Sequence, residues 1–220
     1  MVLRKVKAAY FAIASPFMWL NGIIYRHFRA PTQEKVVKVH LGPGQRTYLD
    51  EWLNLDANIV TGTCDVWVDF RNPLPFRENT VNVFYSHHMI EHLPDLQFHF
   101  NDMYRCLKPG GFIRVGGPHG DNAAKKFLEN DSDWFVDFPD SRKSIGGRFE
   151  NFIFCRQEHL TILTLSYLEE ICENAGFKKI EACSPGTETH EPEFIDDQVL
   201  SKERESHPEC PHTLLIEAWK

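Results

Sequence analysis

The sequence predicts an α/β fold: a mostly parallel sheet with helices on both faces. Short β-branched or apolar runs alternate with stretches of helical period. The first run, residues 35–41 (KVVKVHL), stops at Gly42-Pro43-Gly44, where glycine lets the backbone turn sharply and lie close to a ligand. The second, residues 52–56 (WLNLD), stops at an acid. In doubly wound sheets a strand, a glycine turn and a carboxylate on the next strand form a nucleoside-binding edge.

The remaining elements follow in order. Asp56 comes 12 residues after Gly44, so any helix between the first two strands must be very short. Residues 65–69 (DVWVD) read as a third strand, followed by the proline-bearing loop 72–76. Residues 81–85 form a fourth strand and lead through SHHMIEHL into a helix ending near Leu107. Residues 108–111 (KPGG) are a breaker turn, and residues 112–115 a fifth strand. Residues 167–175 are an amphipathic helix stopped by Gly176. Residues 177–183 and 213–219 complete the strands. No convincing helix separates these two, which permits an antiparallel pairing.

The 220 residues suit one domain, residues 35–220, preceded by a segment of its own character, residues 1–34. The net charge of −7 is uneven: residues 1–35 carry +5 and the remainder −12. So acidic a body excludes a broad nucleic-acid-binding face, which needs clustered cations. The six cysteines are scattered, with no CxxC pair and no Cys/His spacing of a zinc site, so no metal is expected. Scattered thiols point to a reducing, cytoplasmic setting.

Residues 8–25 (AAYFAIASPFMWLNGIIY) carry no formal charge and are flanked by cations. Their length is at the lower limit for a membrane span, and Pro16 should break the helix. Two expectations follow. The segment packs on the domain or on a second copy of the chain. Or residues 1–30 lie on a membrane surface, with Phe11, Phe17, Trp19 and Ile23 in lipid.

The series VHLGPG, NLD, DFRNPLPF, SHHMIEHL, LKPGGFIRV and EHLTILTLSYLEEICENAGF resembles the class I S-adenosylmethionine-dependent methyltransferases, in particular the small-molecule and sugar-type group. The similarity covers roughly residues 36–183 and the last strand, with every piece in register. It implies a Rossmann-like seven-stranded sheet with the seventh strand antiparallel, S-adenosyl-L-methionine as cofactor, and a small-molecule acceptor such as a sugar hydroxyl or amine. It also implies roles for single residues. Leu41, Gly42, Pro43 and Gly44 would lie against the methionine and ribose, and Asp56 would hold the ribose hydroxyls. Asp69 and Phe70 would flank the adenine, and Ser86 and His87 the sulfonium end. Pro43 stands where Cys, Ala or Ser is common.

Histidine suits a general base because its ordinary pKa is near ~6.5. His119, in the loop after the fifth strand, is the first candidate, and His159 the second; His88 and His92 lie near the same rim. Residues 121–160 hold Trp134, Phe135, Phe138, Phe149, Phe152 and Phe154 and read as a lid over the acceptor, with Arg142, Lys143 and Arg148 available to an anionic group. Residues 184–212, acidic and proline-bearing, read as a flexible excursion with a solvated acid cluster. An NAD(P)-dependent oxidoreductase shares the strand–glycine–strand pattern, but Thr47 stands where its third glycine belongs. The remaining alternative is a binding module that keeps the cofactor fold without turnover.

Overall fold

The computed structural model describes residues 2–220, with the side chains of residues 2–5 left out of the description. Seven strands form one sheet: β1 (Lys38–Leu41), β2 (Leu53–Asp56), β3 (Val66–Trp67), β4 (Val81–His87), β5 (Leu107–Pro118), β6 (Lys179–Ala182) and β7 (Thr213–Trp219). Their spatial order is β3-β2-β1-β4-β5-β7-β6. The first five run parallel, and β7 is antiparallel to both β5 and β6. Val39, Leu41, Leu55, Phe84, Ile113, Val115 and Ile216 are wholly buried, so the strands supply the apolar core expected of a sheet covered on both faces, while His40, Asn54, Arg114 and Glu217 are buried polar groups among them.

Helices α2 (Leu96–Cys106) and α5 (Leu165–Ala175) pack on one another over that core. Gly176, at φ +107°, ends α5 in the left-handed conformation. Two short helices, α3 (Gly120–Leu128) and α4 (Ile145–Phe154), hold the 121–160 connection around a cluster of Trp134, Phe135 and Ile153.

Four features differ from the sequence expectation. No helix joins β1 to β2; eleven residues of turn do so, because Thr47 pins the chain back onto the Pro43 carbonyl through both its amide and its hydroxyl. The helix expected from Ser86 begins only at Leu96, capped by the Asp95 carboxylate on the Phe98 amide; a single 3₁₀ turn, Ile90–His92, precedes it. Residues 108–111 lie within β5 rather than in a separate turn. Residues 184–212 are not loose. They carry the short helix α6 (Asp197–Leu200), and Glu203 lies buried on Arg114.

The N-terminal segment is one helix, α1 (Val2–Phe28), continuous through Pro16. Side-chain bonds to the domain hold the turns on either side of the proline. Tyr10 donates to the Ala57 carbonyl, Ser15 Oγ to Asp69 Oδ2 (2.6 Å), Asn21 Nδ2 to the Trp67 carbonyl (2.8 Å) and Arg26 to the Leu74 carbonyl. The far side stays uncovered: Ile13, Phe17, Trp19, Leu20, Ile24 and Phe28 are exposed. By length and composition alone, residues 6–28 could cross a membrane.

Candidate functional site

The carboxyl ends of β1, β2 and β4 meet at one edge of the sheet. After β1 the chain turns through Gly42 (φ +76°) and Gly44 (φ +56°), a conformation that side chains disfavour. Asp56, at the tip of β2, accepts the Gly44 amide on Oδ2 and the Asn58 amide on Oδ1, both at 2.8 Å. Each carboxylate oxygen therefore keeps a lone-pair position for a further donor. The space in front of Gly44 is open, since a Cβ there would meet nothing within 4 Å. The 57–64 loop folds against the same turn, where a Cβ on Gly62 would lie 2.5 Å from the Gly44 carbonyl oxygen.

A cleft of about 390 Å³ opens beside this turn, lined by Asp56, Asp69, Phe70, Met89 and His92, with Lys7 and Phe11 of α1 as its outer wall. Lys7 also pairs with Glu158 across the opening. Asp69 is less available than its position suggests. It binds the Arg71 side chain through both oxygens (2.6–3.1 Å) and accepts the Arg71 amide and Ser15 Oγ. Burial would raise its pKa, but these donors outweigh that and hold it below the usual range. Its carboxylate ties α1 to the sheet, and Phe70 is left as the apolar wall.

A second cleft, of about 530 Å³, lies across the end of β4. His87, His88, His159 and His212 face it, with Phe138 and Phe152 from the 121–160 connection and Arg204 and Glu205 from the segment before β7. Ser86 Oγ and His87 Nε2 are buried without a hydrogen-bond partner. Burial, then the neighbouring His88, His40 and Arg114, hold His87 well below the ordinary histidine value, so its ring is neutral at pH 7. His159 is also lowered by burial, against the pull of Glu91.

His212 differs. Its Nδ1 is 2.9 Å from Glu205 Oε1 and its Nε2 faces the Trp134 carbonyl, so both nitrogens meet acceptors. Burial opposes the charged ring, but these partners outweigh it and raise the His212 pKa, while Glu205 is held down at about 2.

The two residues first considered as bases part company here. His159 reaches the second cleft. His119 lines neither: it is the N-cap of α3, its Nδ1 accepting the Asn122 amide at 3.4 Å. The loop after β5 turns straight into that helix, which commits the ring to the Asn122 amide. Arg142 and Arg148 are engaged elsewhere, with Asp140 and with the Ser132 and Phe135 carbonyls, and Lys143 lines neither cleft. The cleft's cation is Arg204, which sequence reasoning missed because it sits in the acidic segment assigned to solvent.

Residues 20–115 match the family model described as a methyltransferase domain. A search among curated proteins finds no match. Among solved structures, an S-adenosylmethionine-dependent methyltransferase of Thermotoga maritima is similar at TM-score 0.52 and 14% identity, over 97% of this chain and 95% of that one. One from Archaeoglobus fulgidus is similar at TM-score 0.51 and 15% identity, over 96% and 99%. Phosphoethanolamine N-methyltransferase 2 of Haemonchus contortus, solved with S-adenosyl-L-methionine, is similar at TM-score 0.50 and 17% identity, over 92% of this chain and 52% of that one.

Proposed function

We propose that this chain, a class I S-adenosylmethionine-dependent methyltransferase, methylates a hydroxyl or amine of a small polar acceptor of sugar-like chemistry. The observation that carries the acceptor class is the second cleft. Its volume of about 530 Å³ suits a small ligand, and it combines two phenylalanine faces with converging polar groups. The segments bearing Phe138, Phe152 and Arg204 bound that cleft, which limits how large an acceptor can enter.

The residues present fit the cofactor. Gly44 leaves its face open, Asp56 keeps lone pairs for two hydroxyls, and Ser86 Oγ and His87 Nε2 are polar atoms in want of partners. S-adenosyl-L-methionine supplies an electrophilic methyl carbon, so the protein needs no nucleophile of its own. What it must do is align the acceptor with that carbon and exclude water. Lys7 and Phe11 of α1 line the first cleft beside Asp56 and Asp69. The neutral His87 ring, at the boundary of the second cleft, can accept a hydrogen bond from the acceptor's O–H or N–H.

Asp56→Ala is expected to weaken S-adenosylhomocysteine binding about 30-fold, the equivalent of ~2 kcal/mol for hydrogen bonds to a charged group. Isothermal titration reads this directly, and unchanged affinity would remove Asp56 from the ribose site. For the acceptor, release of S-adenosylhomocysteine is followed with sugars, polyols and small amines, and separately with protein and RNA fractions. Turnover with the macromolecular fractions alone would overturn the small-acceptor assignment. Absence of turnover with a whole-cell extract would favour a binding module.

The exposed face of α1 supports a peripheral membrane contact for the same enzyme. Ile13, Phe17 and Leu20 lie outward while the opposite face is bonded to the domain. Flotation with anionic liposomes should be lost in an Ile13→Glu, Phe17→Glu double variant, which leaves the cleft wall intact. Equal flotation of both proteins would exclude the contact.

A further inference from the structure

Between the two clefts three imidazoles converge on one carboxylate. The Glu91 side chain is 1% exposed, and neither of its oxygens has a hydrogen-bond partner. Around Oε1 stand His88 Nδ1 at 3.4 Å, His92 Nε2 at 3.9 Å and His159 Nε2 at 3.9 Å. His88 Nδ1 is the nearest group able to donate to it, and a buried carboxylate with so little donor support is costly, so something must compensate it.

The outer hydrogen bonds fix which ring nitrogens carry protons. His92 Nδ1 lies 2.8 Å from the Glu158 carbonyl oxygen, and His159 Nδ1 lies 2.9 Å from the Ile153 carbonyl oxygen. A carbonyl only accepts, so both Nδ1 atoms are donors, and in the neutral rings both Nε2 atoms are lone pairs. Two lone pairs therefore face a carboxylate that can itself only accept. Acceptors gathered around one point, each ring clamped from behind by a backbone carbonyl, are how metal-bound histidines are held.

The spacing agrees. The ligand atoms of Glu91, His92 and His159 all lie within 4.8 Å of one another. With bonds of about 2.1 Å, neighbouring ligands on a tetrahedron are about 3.4 Å apart, so each imidazole at 3.9 Å has to close on Glu91 Oε1 by about 0.5 Å, and the two imidazoles on each other by at most about 1.4 Å, a side-chain adjustment. The backbone is shaped to the same end. His88 takes φ +55°, strained for a non-glycine residue, and the 3₁₀ turn Ile90–His92 delivers Glu91 and His92 together.

We propose that Glu91, His92 and His159 bind one divalent first-row transition ion, such as Zn²⁺, Mn²⁺ or Fe²⁺, at the wall shared by the cofactor and acceptor clefts. Two imidazoles and a carboxylate suit these ions and leave coordination positions open. His92 lines the first cleft; His159 and His88 line the second, so those positions face the acceptor. Resting on the methyltransferase assignment, the site narrows the acceptor to an oxygen ligand: a hydroxyl flanked by a second oxygen, whose proton a bound cation would loosen. His159 is then a metal ligand rather than a free base. The pattern differs from a zinc-finger spacing because the ligands are a H-x-x-E-H turn and a histidine 67 residues beyond it.

The test uses the full chain stripped with a chelator and titrated with Co²⁺, whose visible absorption reports bound imidazole and carboxylate ligands. One Co²⁺ per chain is expected, displaced by Zn²⁺. His92→Gln and His159→Gln should each weaken binding by more than about 100-fold, beyond what loss of a merely supporting residue costs. His27→Gln, an exposed histidine on α1, should leave it unchanged. Absence of Co²⁺ binding, or binding that survives both site substitutions, overturns the site. S-adenosylhomocysteine affinity is measured on the same proteins. Retained affinity in the two variants shows that they fold, and its failure in the unsubstituted chain would count against the cofactor assignment while leaving the metal result to stand on its own.

Discussion

Replacing Arg114 by Met is expected to remove about 3–5 kcal/mol of stability, the usual cost of stranding buried charges. Arg114 lies mid-strand in β5 with no solvent exposure. Its Nε and Nη2 donate to the two oxygens of Glu203 at 2.7 and 2.6 Å, and its Nη1 donates to Glu217 Oε1 at 2.6 Å. Glu217 is its cross-strand partner on β7, and both acidic side chains are fully buried. A methionine fills the volume but leaves two carboxylates without their cation. In a domain of this size each kcal/mol moves Tm by roughly 2–4 °C, so a fall of roughly 10 °C is expected. Urea unfolding followed by circular dichroism measures it. A loss under about 1 kcal/mol would mean that water reaches Glu203 and Glu217 and that the cluster is not sealed.

The second large effect is loss of stability on mild acidification. His40 and His99 are buried, each with Nε2 unpartnered. Burial lowers both to about 4. An unfolded histidine titrates near ~6.5, so between ~6.5 and about 4 the unfolded chain binds protons that the folded one refuses, and stability falls with pH. The shift is worth at most roughly 3 kcal/mol for each residue. Glu205, held at about 2, has the usual carboxylate sign: its contribution is present above ~4.5 and fades only as pH falls further. His212 has the opposite sign to His40, because its contribution is complete below ~6.5 and is lost as pH rises through its raised value. Unfolding free energies at pH 7 and pH 5 should therefore differ by a few kcal/mol. His99→Leu should flatten the profile; an unflattened slope would assign the acid sensitivity to other groups.

These two cases show what the sequence discloses and what it hides. The strand runs, the glycine turn and Asp56 were legible because each is a local pattern whose period or position has a physical cause, and Gly44 and Asp56 do meet at 2.8 Å. Arg114 and Glu217 were visible as lone charges inside apolar runs, yet nothing local says that β7 inserts beside β5 and brings them together. Glu203 was harder still, since an acid in an acidic, proline-bearing stretch looks solvated until its partner is known. Pro16 misled for a related reason. The penalty for proline in a helix is local, whereas the partners of Tyr10, Ser15 and Asn21 that hold α1 straight lie 46 or more positions away. The Glu91 cluster joins a turn after β4 to a residue before α5, and only the fold closes that distance.

The placement of β7 has a consequence for how the polypeptide matures. The last of the seven strands to be translated is not an edge strand but a wedge, seated between β5 and β6. While synthesis proceeds through residue 212, β6 has no neighbour to zip against and β5 exposes one flank, on which Arg114 still lacks its partner Glu217. A nascent chain can settle its first five strands early, but the sheet closes only once β7, Thr213–Trp219, has been made. Until then the open β5 edge is a template for mispairing.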